Sequence, residues 1–148
     1  GKKIEETRYD LNTKSFFSRS SYSYDDVGNL IEETRLHALS SNDFKWIYKY
    51  DEKGNKIEED FFVTKFHKPS NGKKSTLDTK TVWHYDGKGN AVDETRYDPS
   101  GAMKSKKFYT YEFDARGNWT KQFARMATSS GRPEADPSEV TYRTITYY

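Results

Sequence analysis

The chain has 148 residues, the length of one ordinary domain and enough to bury a core. Its 25 basic and 23 acidic residues leave a formal charge of +2, which argues against a nucleic-acid-binding stripe. No apolar run approaches the roughly 20 residues of a membrane-spanning helix. Ile, Leu, Val and Phe fill only 24 positions, but 12 Tyr, 9 Phe and 3 Trp supply amphipathic area. The expected product is a β-rich domain stabilised by aromatic and cross-strand pairs in place of an aliphatic interior. The absence of Cys excludes disulfides and thiolate metal sites and fits reducing and oxidising compartments alike.

In chain order, Gly1 to Asp10 (GKKIEETRYD) reads as an edge strand, the downstream half of a repeat whose upstream half would precede it, as in a processed or trimmed chain. Tyr24 to Arg35 (YDDVGNLIEETR) is the next copy, followed by Tyr50 to Glu59 (YDEKGNKIEE) and Tyr85 to Asp98 (YDGKGNAVDETRYD). Phe113 to Lys121 (FDARGNWTK) keeps the turn and loses the acidic pair. The repeat glycines are spaced 27, 26, 35 and 28 residues apart, as in repeat arrays.

Each complete copy is chemically a turn. An aromatic residue ends one strand and an aspartate (Asp25, Asp51, Asp86 or Asp114) caps the backbone. Two residues then take helical angles before a glycine (Gly28, Gly54, Gly89 or Gly117) takes the positive φ of a type I turn with a G1 bulge. Between these turns lie period-two strands rich in aromatics: Ser20 to Tyr24, Lys45 to Tyr50, Thr81 to Tyr85 and Lys107 to Phe113. Asp98-Pro99-Ser100-Gly101, Asn71-Gly72 and Ser40-Ser41-Asn42-Asp43 mark turns at the opposite end, and Thr128 to Ser138 is a loop. The fold class expected is all-β: an antiparallel meander of about five repeated hairpins, about ten strands, in one strongly twisted single sheet forming a single domain over 1–148.

With Asp25 opposite Asn29, Tyr24 is expected opposite Leu30, Ser23 opposite Ile31 and Tyr22 opposite Glu32. The same register places Trp46, Tyr48 and Tyr50 on one face with Lys56, Glu58 and Asp60, and Ile47 and Ile57 on the other. Both faces are then half apolar and half charged, which suits a twisted or curled sheet better than a sandwich. The last strand, Val140 to Tyr148, carries only Arg143 as a charge and needs cover. Pairing it with Lys3 to Tyr9 would close the meander into a barrel; pairing it with its twin would give a dimer by sheet extension. Closure or strong curling is the expectation.

The recurring Tyr-Asp-x-x-Gly-Asn turn followed by a short strand, from Gly1 to about Lys121, resembles the YD repeat of the Rhs (rearrangement hotspot) family. That family includes bacterial wall-associated and toxin-carrying proteins and the teneurins. The resemblance implies a β-hairpin repeat in an extracytoplasmic protein: periplasmic, secreted or on the cell surface. This chain is too short to enclose a toxin and lacks the aspartyl self-cleavage region and toxin domain of the large members.

Five features bear on function. His37, His67 and His84 sit in different repeats without metal-ligand spacing, so neither a metal nor another cofactor is expected. The pairs Glu5-Glu6, Glu32-Glu33, Glu58-Glu59 and Asp93-Glu94 put adjacent carboxylates on opposite faces; cross-strand salt bridges with Lys and Arg are expected, not acid–base catalysis. Trp46, Tyr48, Trp83, Tyr109 and Tyr111, with Tyr22, are the candidate ligand-binding residues, because ring faces meet the C–H face of a sugar while polar neighbours take its hydroxyls. Lys65, Lys68, Lys73 and Lys74, in the arm from Phe61 to Lys80, are candidates for holding an anionic polymer, against the plainer reading of a solvated hairpin tip. Asn118-Trp119-Thr120 fits a glycosylation pattern, but Asn118 is the repeat's turn residue. The expected function is a non-enzymatic binding or display module of a bacterial envelope or secreted protein, with a glycan or another envelope protein as partner. The competing readings are a structural spacer of a larger β-shell and, third, a glycan-active enzyme.

Overall fold

The computed structural model describes residues 1–38, 40, 42–67 and 72–146. Ten strands follow one another: β1 (Glu5–Tyr9), β2 (Phe16–Tyr24), β3 (Leu30–His37), β4 (Asn42–Tyr50), β5 (Lys56–His67), β6 (Gly72–Tyr85), β7 (Ala91–Tyr97), β8 (Met103–Phe113), β9 (Trp119–Met126) and β10 (Glu139–Tyr142). They form one antiparallel sheet in strict sequence order, and among the described residues each strand pairs only with its sequence neighbours. The sheet is therefore a single layer. Among the described residues, Ala124 is the one buried hydrophobic side chain, while Glu33, Thr81 and Thr95 are buried within the sheet surface. An all-β meander of ten strands is what the repeat spacing predicts.

The repeat turns have the expected geometry. In the third copy, the Gly54 N–H donates to the Asp51 carbonyl at 3.0 Å and the Asp51 N–H to the Asn55 carbonyl at 3.0 Å, with Gly54 at φ +83°. Gly28, Gly89 and Gly117 also have positive φ. Each aspartate carboxylate caps its own loop: Asp51 accepts from the Lys53 and Asn55 N–H groups at 2.9 and 2.8 Å and from the Asn55 side-chain amide at 2.8 Å. This explains why Asp and Asn recur at that spacing.

The register differs from expectation by one residue. Tyr24 does face Leu30, but Ser23 faces Glu32 and Tyr22 faces Glu33, because Ile31 forms a β-bulge. The same extra residue occurs at Ile57, Val92 and Thr120. Tyr48 therefore lies opposite Glu59, not Glu58, and Trp46 opposite Phe61, not Asp60. A bulge sets two residues against one, so every side chain beyond it changes face.

The ends do not meet. β1 pairs only with β2 and β10 only with β9, so closure into a barrel is not realised. The strand expected over Val140 to Tyr148 is the four-residue β10, starting at Glu139, with 143–146 outside it; residues 147–148 lie outside the described residues. The edge is kept short, one of the ways sheets avoid open templates. The Lys3 to Tyr9 strand begins at Glu5.

Candidate functional site

The acidic pairs divide their labour between the two faces. The first carboxylate of each pair reaches a basic side chain on a neighbouring strand: Glu5 to Arg19 at 3.7 Å, Glu32 to Lys45 at 2.7 Å, Glu58 to Lys49 and Lys80 at 2.5 and 2.8 Å, and Asp93 to the His84 ring and Lys106 at 2.9 and 3.4 Å. The second pairs with the arginine two residues on: Glu6 with Arg8, Glu33 with Arg35 and Glu94 with Arg96, at 2.9, 2.6 and 2.9 Å. In the third repeat Phe61 holds the arginine's place, and Lys56 reaches Glu59 at 2.7 Å instead. Burial opposes ionisation of Glu58, but Lys49 and Lys80 prevail and hold its carboxyl below the usual range.

The aromatic candidates are drawn into the same lattice. Strand pairing sets Tyr22 and Trp46 on either side of Glu33, and Trp83 and Lys107 on either side of Glu94. Trp83 Nε1 and the Tyr109 hydroxyl both donate to Glu94 Oε2, at 3.2 and 3.1 Å, and the Tyr48 hydroxyl reaches Glu33 Oε2 at 3.4 Å. Burial, followed by the neighbouring carboxylate, pushes the Tyr48 and Tyr109 phenols well above their ordinary range. Lys56 Nζ stands over the rings of both Trp83 and Tyr48, at 4.4 and 5.2 Å, and the Arg35 guanidinium lies over Trp46 at 5.0 Å. These contacts replace the missing second layer.

Tyrosine also ties each repeat to the one before. The Tyr24, Tyr50 and Tyr85 hydroxyls donate to the carbonyls of Lys3, Leu30 and Lys56, at 2.9, 2.9 and 2.8 Å. Each acceptor lies two residues past the preceding repeat's glycine. Where Phe113 takes the tyrosine's place, Tyr111 supplies the hydroxyl, to the Ala91 carbonyl at 2.9 Å. Tyr111 thus has a structural duty in addition to its place in the aromatic row.

Two hollows open between successive repeat turns, lined by corresponding residues one repeat apart. The first, about 760 Å³, is lined by Asp25, Val27, Asn29, Ile31, Tyr48, Lys49, Tyr50 and Asp51 to Gly54. The second, about 500 Å³, is lined by Asp51 to Lys53, Asn55, Ile57, Trp83, His84, Tyr85, Asp86 and Gly87. Tyr48 and Trp83 take equivalent positions, as do Ile31 and Ile57, and Lys49 and His84. The sequence picks out Tyr48 and Trp83; the isoleucines and turn residues it reads only as structure. Trp46, Tyr109 and Tyr111 line neither hollow.

In the basic arm, strand pairing sets Lys65 opposite Lys74 and Phe66 opposite Lys73. Lys65 is exposed, while Lys68 and Asn71 lie outside the described residues. His84 Nδ1 pairs with Asp93, and His37 packs edge-on between Phe17 and Phe44. Asn118 is held by its N–H to Asp114 Oδ1 at 2.9 Å, as a turn residue.

Among the described residues, no helix is long and apolar enough to cross a membrane. No family model matches the chain, and no curated protein matches it. Among solved structures, it is similar to a Bacteroides fragilis protein of unknown function, at 12% identity and a TM-score of 0.36 over 95% of this chain and 93% of that one, a level of likeness that carries no argument about function.

Proposed function

We propose that the chain is a non-enzymatic binding or display module of a bacterial envelope or secreted protein, built from YD-type repeats, that holds a glycan polymer along its row of turns. The observation supporting this reading is the pair of hollows that recur one repeat apart with corresponding linings. A repeated site suits a ligand that itself repeats, because each bound unit holds the next at high effective concentration. The linings combine an aromatic residue with carboxylate and side-chain amide groups, the mixture that sugar rings and hydroxyls require. The carboxylates of the acidic pairs are engaged by cations, which suits a structural role better than acid–base chemistry.

The test is binding of envelope polysaccharide oligomers of increasing length to the folded chain. Affinity should rise with length, and Tyr48→Ala or Trp83→Ala, each confirmed as folded by circular dichroism, should each abolish that rise. Binding to none of the oligomers would favour the spacer reading. Turnover of a polysaccharide that is lost with a single Glu→Gln change would overturn the non-enzymatic one.

A further inference from the structure

The molecule exposes 10487 Å² of surface, about 2,600 Å² more than a compact monomer of its 17.4 kDa mass is expected to show. The excess follows from the single layer, since neither face is covered by another part of the chain. At the end of the sheet opposite the repeat turns, five rings run across β2 to β5. Phe17, His37, Phe44, Phe61 and Trp46 succeed one another with centroids 6.4, 6.4, 5.9 and 5.0 Å apart. Phe17 is 45% exposed at one end of this strip. A hollow of about 370 Å³ lies beside Phe17, His37, Ser40 and Phe44, and another of about 240 Å³ beside Trp46, Phe61, Glu59 and Arg96.

We infer that this aromatic strip is the docking surface for a second copy of the chain, packed face to face about a two-fold axis. Area favours a protein over a small ligand. The excess of about 2,600 Å² is spread over the two faces of one layer, so either face has more to bury than the roughly 800 Å² each partner gives up in a stable dimer. Chemistry favours another apolar strip over a sugar, because three of the five rings are phenylalanines with no atom to offer a hydroxyl. Charge allows self-association. The strip is flanked by the Glu33–Arg35 pair on β3 and the Lys56–Glu59 pair on β5, so a two-fold axis brings mixed charge against mixed charge. The hollows along this strip share no lining residue with the turn-row hollows, so the inference does not depend on what those bind.

The test is sedimentation equilibrium of the full chain over a range of concentrations, together with Phe44→Lys and Phe17→Lys. The wild-type chain should sediment at twice 17.4 kDa at the higher concentrations, and each variant should raise the dimer dissociation constant at least about tenfold. Should Phe44→Lys lose its β-sheet signal, Phe17→Lys at an exposed ring carries the test. A wild-type chain that remains monomeric throughout overturns the inference. So does a dimer that persists unchanged in both folded variants, which would assign association to the sheet edges.

Discussion

At the scale of the residue, the repeat turn is the most legible feature of the sequence, because each of its atoms has a stated job. Gly54 sits at φ +83°, and an added Cβ would meet nothing closer than Asn29 Oδ1 at 3.9 Å, so the cost of a side chain there is backbone strain, not collision. Gly54→Ala should therefore destabilise the protein by about 1 kcal/mol, read as a lower denaturant midpoint at unchanged slope. A neutral result would contradict the turn. The Asn55 amide and backbone N–H hold the Asp51 carboxyl below its ordinary value, and Asn90 does the same for Asp86. A group depressed on folding contributes stability above its unfolded pKa, near 4, and loses it as pH falls through the folded value. Stability should thus decline below about pH 4, and Asp51→Asn combined with Asp86→Asn should flatten that decline in a pH series of thermal melts. The bulge beside each turn was not legible. Ile31, Ile57 and Val92 look like ordinary strand residues, and nothing in an alternating pattern marks which of them stands unpaired.

At the scale of the element, that one unseen residue decides which carboxylate of each pair meets which ring. The sequence reading gives Tyr48 the wrong glutamate, whereas the bulge hands it Glu59 across the strand pair and leaves Glu58 to Lys49 and Lys80 on the other face. The cross-strand bridges of the first carboxylates were legible all the same, because adjacent strand residues point opposite ways whatever the register. The second carboxylates, those of Glu6, Glu33 and Glu94, bridge an arginine two residues on in their own strand and not, as expected, on a neighbouring one. The tyrosine ties were hidden, since their acceptors are backbone carbonyls of the preceding repeat, 20 to 29 residues away. They explain the Tyr of Tyr-Asp. Tyr50→Phe should cost about 1 kcal/mol by leaving the Leu30 carbonyl without its donor. Phe113→Tyr should gain nothing, because Tyr111 already serves the Ala91 carbonyl. Equal effects of the two substitutions in chemical denaturation would show that the hydroxyl does not link the repeats.

At the scale of the whole molecule, a single layer in strict sequence order behaves as a one-dimensional array, in which each hairpin is stabilised by its neighbours and by nothing across a core. The sequence showed that aliphatic residues were too few for an ordinary interior, but it pointed to a curled or closed sheet because an open edge is a liability. The structure keeps the edges open and short instead, with five residues in β1 and four in β10. In such an array, opening need not be global. The terminal strands have one neighbour each, while β5 and β6, at 12 and 14 residues, form the longest pairing and have a strand on either side. Local opening should therefore begin at the ends and move inward, giving native-state amide exchange that is fastest in β1 and β10 and slowest at the centre, in the paired amides from Glu58 to Phe62 and from Leu77 to Val82. A dimer through the strip on β2 to β5 would add a second signature, since exchange there would slow as protein concentration rises, while β8 to β10 would stay unchanged. Uniform protection across all ten strands would mean instead that the sheet unfolds as one cooperative unit, and the array description would fail.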